Sequence, residues 1–296
     1  MHAPLRPATT PIPPSELILR ADGSLYHLGI TPDQLAQKII IVGDPERVPL
    51  ISALFNTVEH RIHNREFVIH TGFFDEKRIS IVSTGIGVDN IDIVLNELDA
   101  AVNIDLGTRL PKAEHTTLEI VRIGTSGTLH AHIPVGSFVA SAMAFALDGV
   151  PYSYSPVFSD EEKNLMHELR GQFPHLAGHS GLYATTADPS LLQRIAHDSI
   201  QGITATANGF YGPQGRSLRL LSNMEQNIDA YASFQHMGLH ITNFEMECSG
   251  IYALAAMLGH RATTVCAILA NRATKEFHNN PSASVQSLIQ QVLARF

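Results

Sequence analysis

Short runs of β-branched and other apolar residues alternate along the chain with segments whose apolar positions recur every three or four residues. The runs at 39–42, 58–62, 67–71, 79–82, 118–123, 136–145, 203–207, 241–244 and 263–270 predict strands. Val48, Ile51, Leu54 and Phe55 share one face of a predicted first helix with Pro45 at its first position. Ile91, Val94, Leu95, Leu98 and Val102 share the face of a second, which Asp89 is placed to cap. Ser159 and Glu162 make a capping box ahead of Leu165, Met166 and Leu169, and Asp188 with Pro189 opens a further helix. Residues 224–237 read as helix with Gly238 as its C-cap; a later one carries Ile251, Leu254, Ala255 and Leu258 and ends at Gly259. Val285, Leu288, Ile289, Val292 and Phe296 line a C-terminal helix. Strands alternating with helices through short connections predict one α/β layered domain without internal repeats.

Composition narrows the classes. With 296 residues, 44% hydrophobic and 16% charged, the chain can bury a large core. A formal charge of -8 gives no general attraction to a nucleic-acid backbone or an anionic membrane, so any anion must be met locally. No apolar run approaches a membrane span. Residues 1–20 hold five prolines, and 1–24 is expected to be an extended tail ahead of a domain at 25–296. Cys248 and Cys266 sit in apolar runs, which suits buried thiols in a reducing, cytoplasmic setting. Among sixteen histidines, His60 with His63 and His130 with His132 are the closest pairs, and neither has a third metal ligand nearby in sequence.

The glycine loops follow strands, where ligands of α/β sheets gather. At 43–47, Gly-Asp-Pro-Glu-Arg joins a buried strand to a helix start, so it is either an anion cradle with Arg47 beside it or an ordinary turn. Ser83-Thr84-Gly85-Ile86-Gly87 and Gly124-Thr125-Ser126-Gly127 follow two further strands. Arg122 lies inside its strand and needs a carboxylate or a bound ligand opposite it; the hydroxyl and glycine residues directly after it favour the ligand. Phe210-Tyr211-Gly212-Pro213-Gln214-Gly215-Arg216 combines a stacking surface, an amide and a guanidinium, suited to a planar heterocycle or to an exposed turn. In Glu245-Met246-Glu247, a carboxylate beside an apolar helix needs a hydroxyl or a cation, and a sugar diol would satisfy one. None of these loops matches the P-loop or the dinucleotide fingerprint.

These motifs together, Gly-Asp-Pro-Glu-Arg at Gly43, Ser-Thr-Gly-Ile-Gly at Ser83, Arg-Ile-Gly-Thr-Ser-Gly at Arg122, Phe-Tyr-Gly-Pro-Gln-Gly-Arg at Phe210 and Glu-Met-Glu at Glu245, resemble the uridine phosphorylases of the nucleoside phosphorylase family. The resemblance runs from about Tyr26 to the C-terminus and is weakest at 151–201. It implies a twisted, mixed central sheet flanked by helices and a catalytic domain at 25–296. It implies reversible phosphorolysis of uridine to uracil and ribose 1-phosphate in pyrimidine salvage, with deoxyuridine and thymidine left open. Small-molecule nucleoside and inorganic phosphate are then the partners, and no cofactor is expected.

Carried over by residue, the resemblance gives phosphate to Gly43, Arg47, Arg122 and Thr125, with Arg65 reaching in from a neighbouring subunit. Ribose falls to His27, also from the neighbour, and to Thr125, Met246 and Glu247. The base falls to Ser126, Gly127, Phe210, Gln214, Arg216, Leu269 and Arg272. Arg122, Glu247, Gln214 and Arg216 carry the catalysis. Shared sites require a homodimer or a hexamer built as a trimer of dimers. Glu66, Ile86 and Asn90 leave a monovalent-cation (K+) site open, because Val88 and Asn90 differ from close bacterial members. Purine-cleaving relatives place an aspartate after the last strand, where 268–272 reads Ile-Leu-Ala-Asn-Arg without an acid. The alternatives kept are a purine phosphorylase or nucleosidase of the same fold, and a non-catalytic nucleoside-binding protein.

Overall fold

The computed structural model describes residues 5–7 and 9–296; the tail's Met1–Pro4 and Ala8 lie outside them. The chain forms two compact units, Met1–Val121 with Leu254–Arg261, and Arg122–Ala253 with Ala262–Phe296. The expected α/β class with a mixed sheet is what forms.

In the first unit, β1 (Lys38–Val42), α1 (Arg47–Ser52), β2 (Thr57–Asn64), β3 (Phe67–Phe74), β4 (Lys77–Ser83) and α2 (Val88–Asn103) follow in order. The strand order is β1-β4-β3-β2. β1 runs parallel to β4, with Ile40 opposite Ile81, and β3 pairs antiparallel with both β4 and β2. Ile39 to Val42 are fully buried, as a β-branched run covered on both faces should be. α2 buries Ile91, Val94, Leu95 and Leu98, the predicted stripe. Its N-cap is Gly87 and not Asp89, because Gly87 adopts a φ of 97° and no side chain caps that end. α1 starts at Arg47 and stops at Ser52, later and earlier than the spacing from Pro45 to Phe55 predicts. Leu17 is buried, and the Arg109 guanidinium donates to its carbonyl, so this part of the predicted tail is docked.

A two-residue pair, β5 (Ile104–Asp105) with β6 (Leu110–Pro111), precedes β7 (Glu119–Thr128), which crosses from one unit into the other. The second unit continues with β8 (Phe138–Ala146), α3 (Asp160–Gln172), β9 (Tyr183–Thr186), α4 (Pro189–Ala196), β10 (Ile200–Thr206), α5 (Ile228–Ser233), β11 (Gln235–His236) and β12 (Leu239–Glu245). It ends with α6 (Cys248–Leu258), β13 (Arg261–Asn271), β14 (Glu276–Phe277) and α7 (Pro281–Arg295), although the last turn of α6 and the first residue of β13 fall in the first unit. Its strands run β11-β12-β10-β8-β13-β7, with β9 on β8 and β14 on β13. β10 is parallel to β8 and β12, whereas β13 is antiparallel to β8. The far end of β7 also pairs with β12, Gly127 opposite Phe244 and Thr128 opposite Asn243, so the path closes into a ring of five strands.

The helix expected over 224–237 is broken. Only Ile228–Ser233 is α-helical, and Gln235–His236 turns back as a strand on β12. Met237 (φ 50°) and Gly238 (φ 80°) form the two-residue hairpin turn, for which two left-handed residues in succession suit the strand twist. Gly238 is therefore a turn residue and not a helix C-cap.

The capping box on α3 is as the sequence predicts: Ser159 Oγ accepts from Glu162 N at 3.2 Å, and Glu162 Oε2 accepts from Ser159 N at 2.8 Å. Glu162 Oε1 also accepts from Thr186 N at 3.0 Å, tying α3 to β9. Ser159→Ala should cost about 1 kcal/mol of stability, read from chemical denaturation. His70, His130 and His175 all have pKa values held below 6.5, in each case chiefly by burial. The unfolded chain then binds protons at these sites more readily than the folded one. Stability is full above pH 6.5 and should fall as pH drops through that value toward the folded pKa values, seen as a declining melting temperature from about pH 7 to about pH 5.

Candidate active site

In the second unit, β7 and the junction between β12 and α6 bring charges together inside the fold. Arg122 is 5% exposed, Glu245 3% and Glu247 4%. Arg122 Nη1 lies 3.1 Å from Glu245 Oε2, and Nη2 donates to Glu247 Oε2. The sequence favoured a ligand as the partner of Arg122; the structure supplies two carboxylates instead. Both come from one strand end, since Glu245 closes β12 and Glu247 lies just before α6. Burial works against the guanidinium charge, but the two carboxylates outweigh it and raise its pKa above the ordinary arginine value. Removing either sign would leave an uncompensated buried charge, a loss of about 3–5 kcal/mol.

Sulfur completes the cluster. Arg122 Nη1 also donates to Cys266 Sγ at 3.4 Å, and burial pushes the Cys266 thiol up to about 11. Cys248 is buried too, with its pKa raised for the same reason, so both thiols are inert. The glycine after this arginine has a packing cause. A Cβ on Gly124 would stand 2.3 Å from Arg122 Nη1 and 2.6 Å from Cys266 Sγ. Thr125 and Ser126, next along β7, are half-buried. Asn243 Oδ1 accepts from Thr204 and Thr242, which leaves its amide to donate to Ser126 Oγ at 3.1 Å. Met246 is half-buried between the two glutamates.

The loop after β10 makes a second cluster. The Arg216 guanidinium stands 4.0 Å from the Phe210 ring centroid and donates to Gln214 Oε1 at 2.6 Å and to the Phe210 carbonyl at 2.7 Å. Arg272 donates to the carbonyls of Gln214 and Gly215, so a residue from the end of β13 fixes the loop backbone. Gln214 is buried, whereas Phe210 is 51% exposed and offers its ring. Burial first, then Arg272, lowers the pKa of Arg216 to about 10, which leaves it charged at neutral pH. Gly127 faces this loop: a Cβ there would lie 3.8 Å from Arg216 Nη2. Leu269, half-buried in β13, accepts at its carbonyl from His278 N at 2.8 Å.

In the first unit, Gly43 is half-buried and Arg47 Nε lies 3.9 Å from Asp44 Oδ2. Arg65 is exposed at a φ of 55°, its guanidinium 4.9 Å from the Tyr26 ring centroid. His27 Nδ1 lies 2.7 Å from Glu97 Oε1, and the same carboxylate accepts from the backbone of His27 and Leu28. The Asn90 amide lies 2.6 Å from where a Cβ on Gly85 would stand, a position whose φ of 69° also favours glycine, and Ile86 is 74% exposed. Glu66 is exposed.

Sequence spacing missed one group. Among the described residues, Asp99, His115 and His260 place ligand-type atoms within 4.8 Å of one another. Leu118 N donates to His260 Nδ1 at 3.2 Å, which puts the ring proton on Nε2, 3.2 Å from Asp99 Oδ1. With its proton there, that nitrogen offers no lone pair in this arrangement. Also missed were Glu245 as partner of Arg122 and the Thr206 hydroxyl that donates to it at 2.6 Å. The doubled acid of Glu-Met-Glu was the available signal.

Known proteins resemble the chain over most of its length. The uridine phosphorylase of Thermococcus kodakarensis is 30% identical over 266 residues, covering 86% of this chain and 80% of that protein. That of Salmonella typhimurium is 30% identical over 261 residues, covering 86% and 89%. A Trypanosoma brucei nucleoside phosphorylase, whose crystal structure is described as showing uridine phosphorylase activity, superposes with a TM-score of 0.85 at 28% identity, covering 94% of this chain and 98% of that one. The profile of the phosphorylase superfamily matches residues 37–296, and the chain belongs to that superfamily.

Proposed function

We propose that the protein is a pentosyltransferase that cleaves uridine with inorganic phosphate, giving uracil and ribose 1-phosphate. The observation that carries the base assignment is the Gln214–Arg216–Arg272 cluster. Arg216 occupies one lone pair of Gln214 Oε1, leaving the other for a ring N–H and the amide NH2 for a carbonyl. Phe210 offers a stacking face beside them, with Ser126, Gly127 and Leu269 as further base-side positions. The residue that closes β13 is not an acid that could protonate a purine. Asn271 is there instead, buried and spent on the backbone of His130, Ile133, Ala273 and Thr274.

Glu247 is the acceptor for the ribose hydroxyls, with Met246 against the sugar. Arg122 and Thr125 serve phosphate, together with Gly43, Arg47 and Arg65; His27 serves the ribose 5'-hydroxyl. The ribose gains oxocarbenium character as the bond to the base lengthens, and phosphate attacks C1' from the opposite face. The electrons of the broken bond leave on uracil, where Gln214 and Arg216 stabilise the developing charge. Positioning does the rest, without a covalent enzyme intermediate or a resident cofactor. A homodimer or hexamer that shares Arg65 and His27 between neighbours, and a cytoplasmic address, belong to the same reading. Among the described residues no helix is long and apolar enough to cross a membrane.

Incubation with uridine, thymidine, inosine or adenosine, with and without phosphate, tests this. Uracil should appear from uridine only when phosphate is present. Equal release without phosphate would make the enzyme a nucleosidase, and preferred cleavage of inosine would overturn the base assignment. Arg216→Ala should lower kcat/KM for uridine by about a hundredfold while phosphate affinity stays within about twofold.

A further inference from the structure

Glu245 is held from several sides within the buried cluster. Its Oε2 accepts from the backbone N–H groups of Glu247 and Cys248, each at 2.9 Å, and lies 3.1 Å from Arg122 Nη1. Oε1 accepts from Thr206 Oγ1 at 2.6 Å. Thr206 Oγ1 in turn accepts from the Ser249 backbone N–H at 3.0 Å and from the Ser249 hydroxyl at 2.9 Å. The direction of every hydrogen in the chain is therefore fixed. Ser249 donates to Thr206, Thr206 donates to Glu245, and Arg122 donates to Glu247 while pairing by charge with Glu245.

The second acid carries an electrostatic cost. One guanidinium between two carboxylates carries a net negative charge, which opposes the arrival of an anion. The Glu245 carboxylate, however, sits on the amides that open α6, where the helix dipole is positive. The helix start and the Thr206 hydroxyl absorb much of the Glu245 charge, so Arg122 keeps attraction to spare.

We infer that Glu245, oriented by Thr206, is a positioning residue of the reaction: it holds the Arg122 guanidinium on one side and the backbone carrying Glu247 on the other, in fixed register. Glu245 itself is enclosed by protein donors and meets neither phosphate nor sugar. This role rests on the functional reading above.

Glu245→Gln disturbs it in a defined way. If the amide oxygen keeps the place of Oε2, its NH2 faces Thr206 Oγ1, which already accepts two hydrogen bonds, and the Thr206 hydrogen loses its acceptor. Thr206→Val removes the hydroxyl alone, and Thr206→Ser keeps it. Steady-state kinetics on the full chain, varying phosphate at saturating uridine and the reverse, should show KM for phosphate raised about tenfold or more in E245Q and T206V. T206S should return it to the wild-type value. A purely structural role would lower the melting temperature and the active fraction with KM unchanged, and that result in T206V overturns the inference even if E245Q does not fold. Wild-type protein that releases no uracil from uridine and phosphate overturns the functional reading and this role with it. Wild-type turnover with unaltered KM in both variants overturns the role alone.

Discussion

The second unit is organised around a guanidinium that has been taken out of water. Arg122 has carboxylates on both terminal nitrogens and a thiol beside one of them, and it fits there because Gly124 contributes no side chain. A buried ion cluster of this kind is a poor source of stability compared with apolar packing of equal volume. Its presence points to geometry as the reason. The cluster fixes where β7 stands against the start of α6, and the residues that carry the chemistry lie on those two segments.

The closing pair between β7 and β12 works with that cluster. Gly127 opposite Phe244 and Thr128 opposite Asn243 bring Ser126 next to the Asn243 amide, so a hydroxyl on one strand is oriented by a buried network on another. The Phe210 loop is held differently, by Arg272 from the end of β13 on its carbonyls and by Arg216 on its own backbone. One part of the site is thus built into the sheet. The other is a loop clamped from outside.

Periodicity exposed the strands, the stripe on α2 and the capping box on α3, because each depends on residues a few positions apart. It failed where partners are distant. Residues 224–237 have a helical pattern, yet Gln235 and His236 gain more from pairing with β12 than from extending α5, and Met237-Gly238 supplies the turn. Asp89 has the right chemistry for a cap, but Gly87 starts the helix two residues earlier. Arg122 demanded an opposite charge, and no local rule named acids more than a hundred residues away. The base loop was legible as chemistry, whereas the contribution of Arg272 to its backbone was not.

The five-stranded ring has a consequence for how such a protein can change over time. In an open sheet, an inserted residue can slide toward a free edge; in a closed path, each strand has neighbours on both sides and a shift must propagate around the circuit. A single insertion between Arg122 and Gly127 would turn the arginine or the glycine to the opposite face. Added length is accommodated at least cost in the connections, such as the exposed segment holding Leu218, Leu220 and Leu221. Closure of this kind makes the spacing from Arg122 to Gly127 a property of the whole circuit and not of one strand.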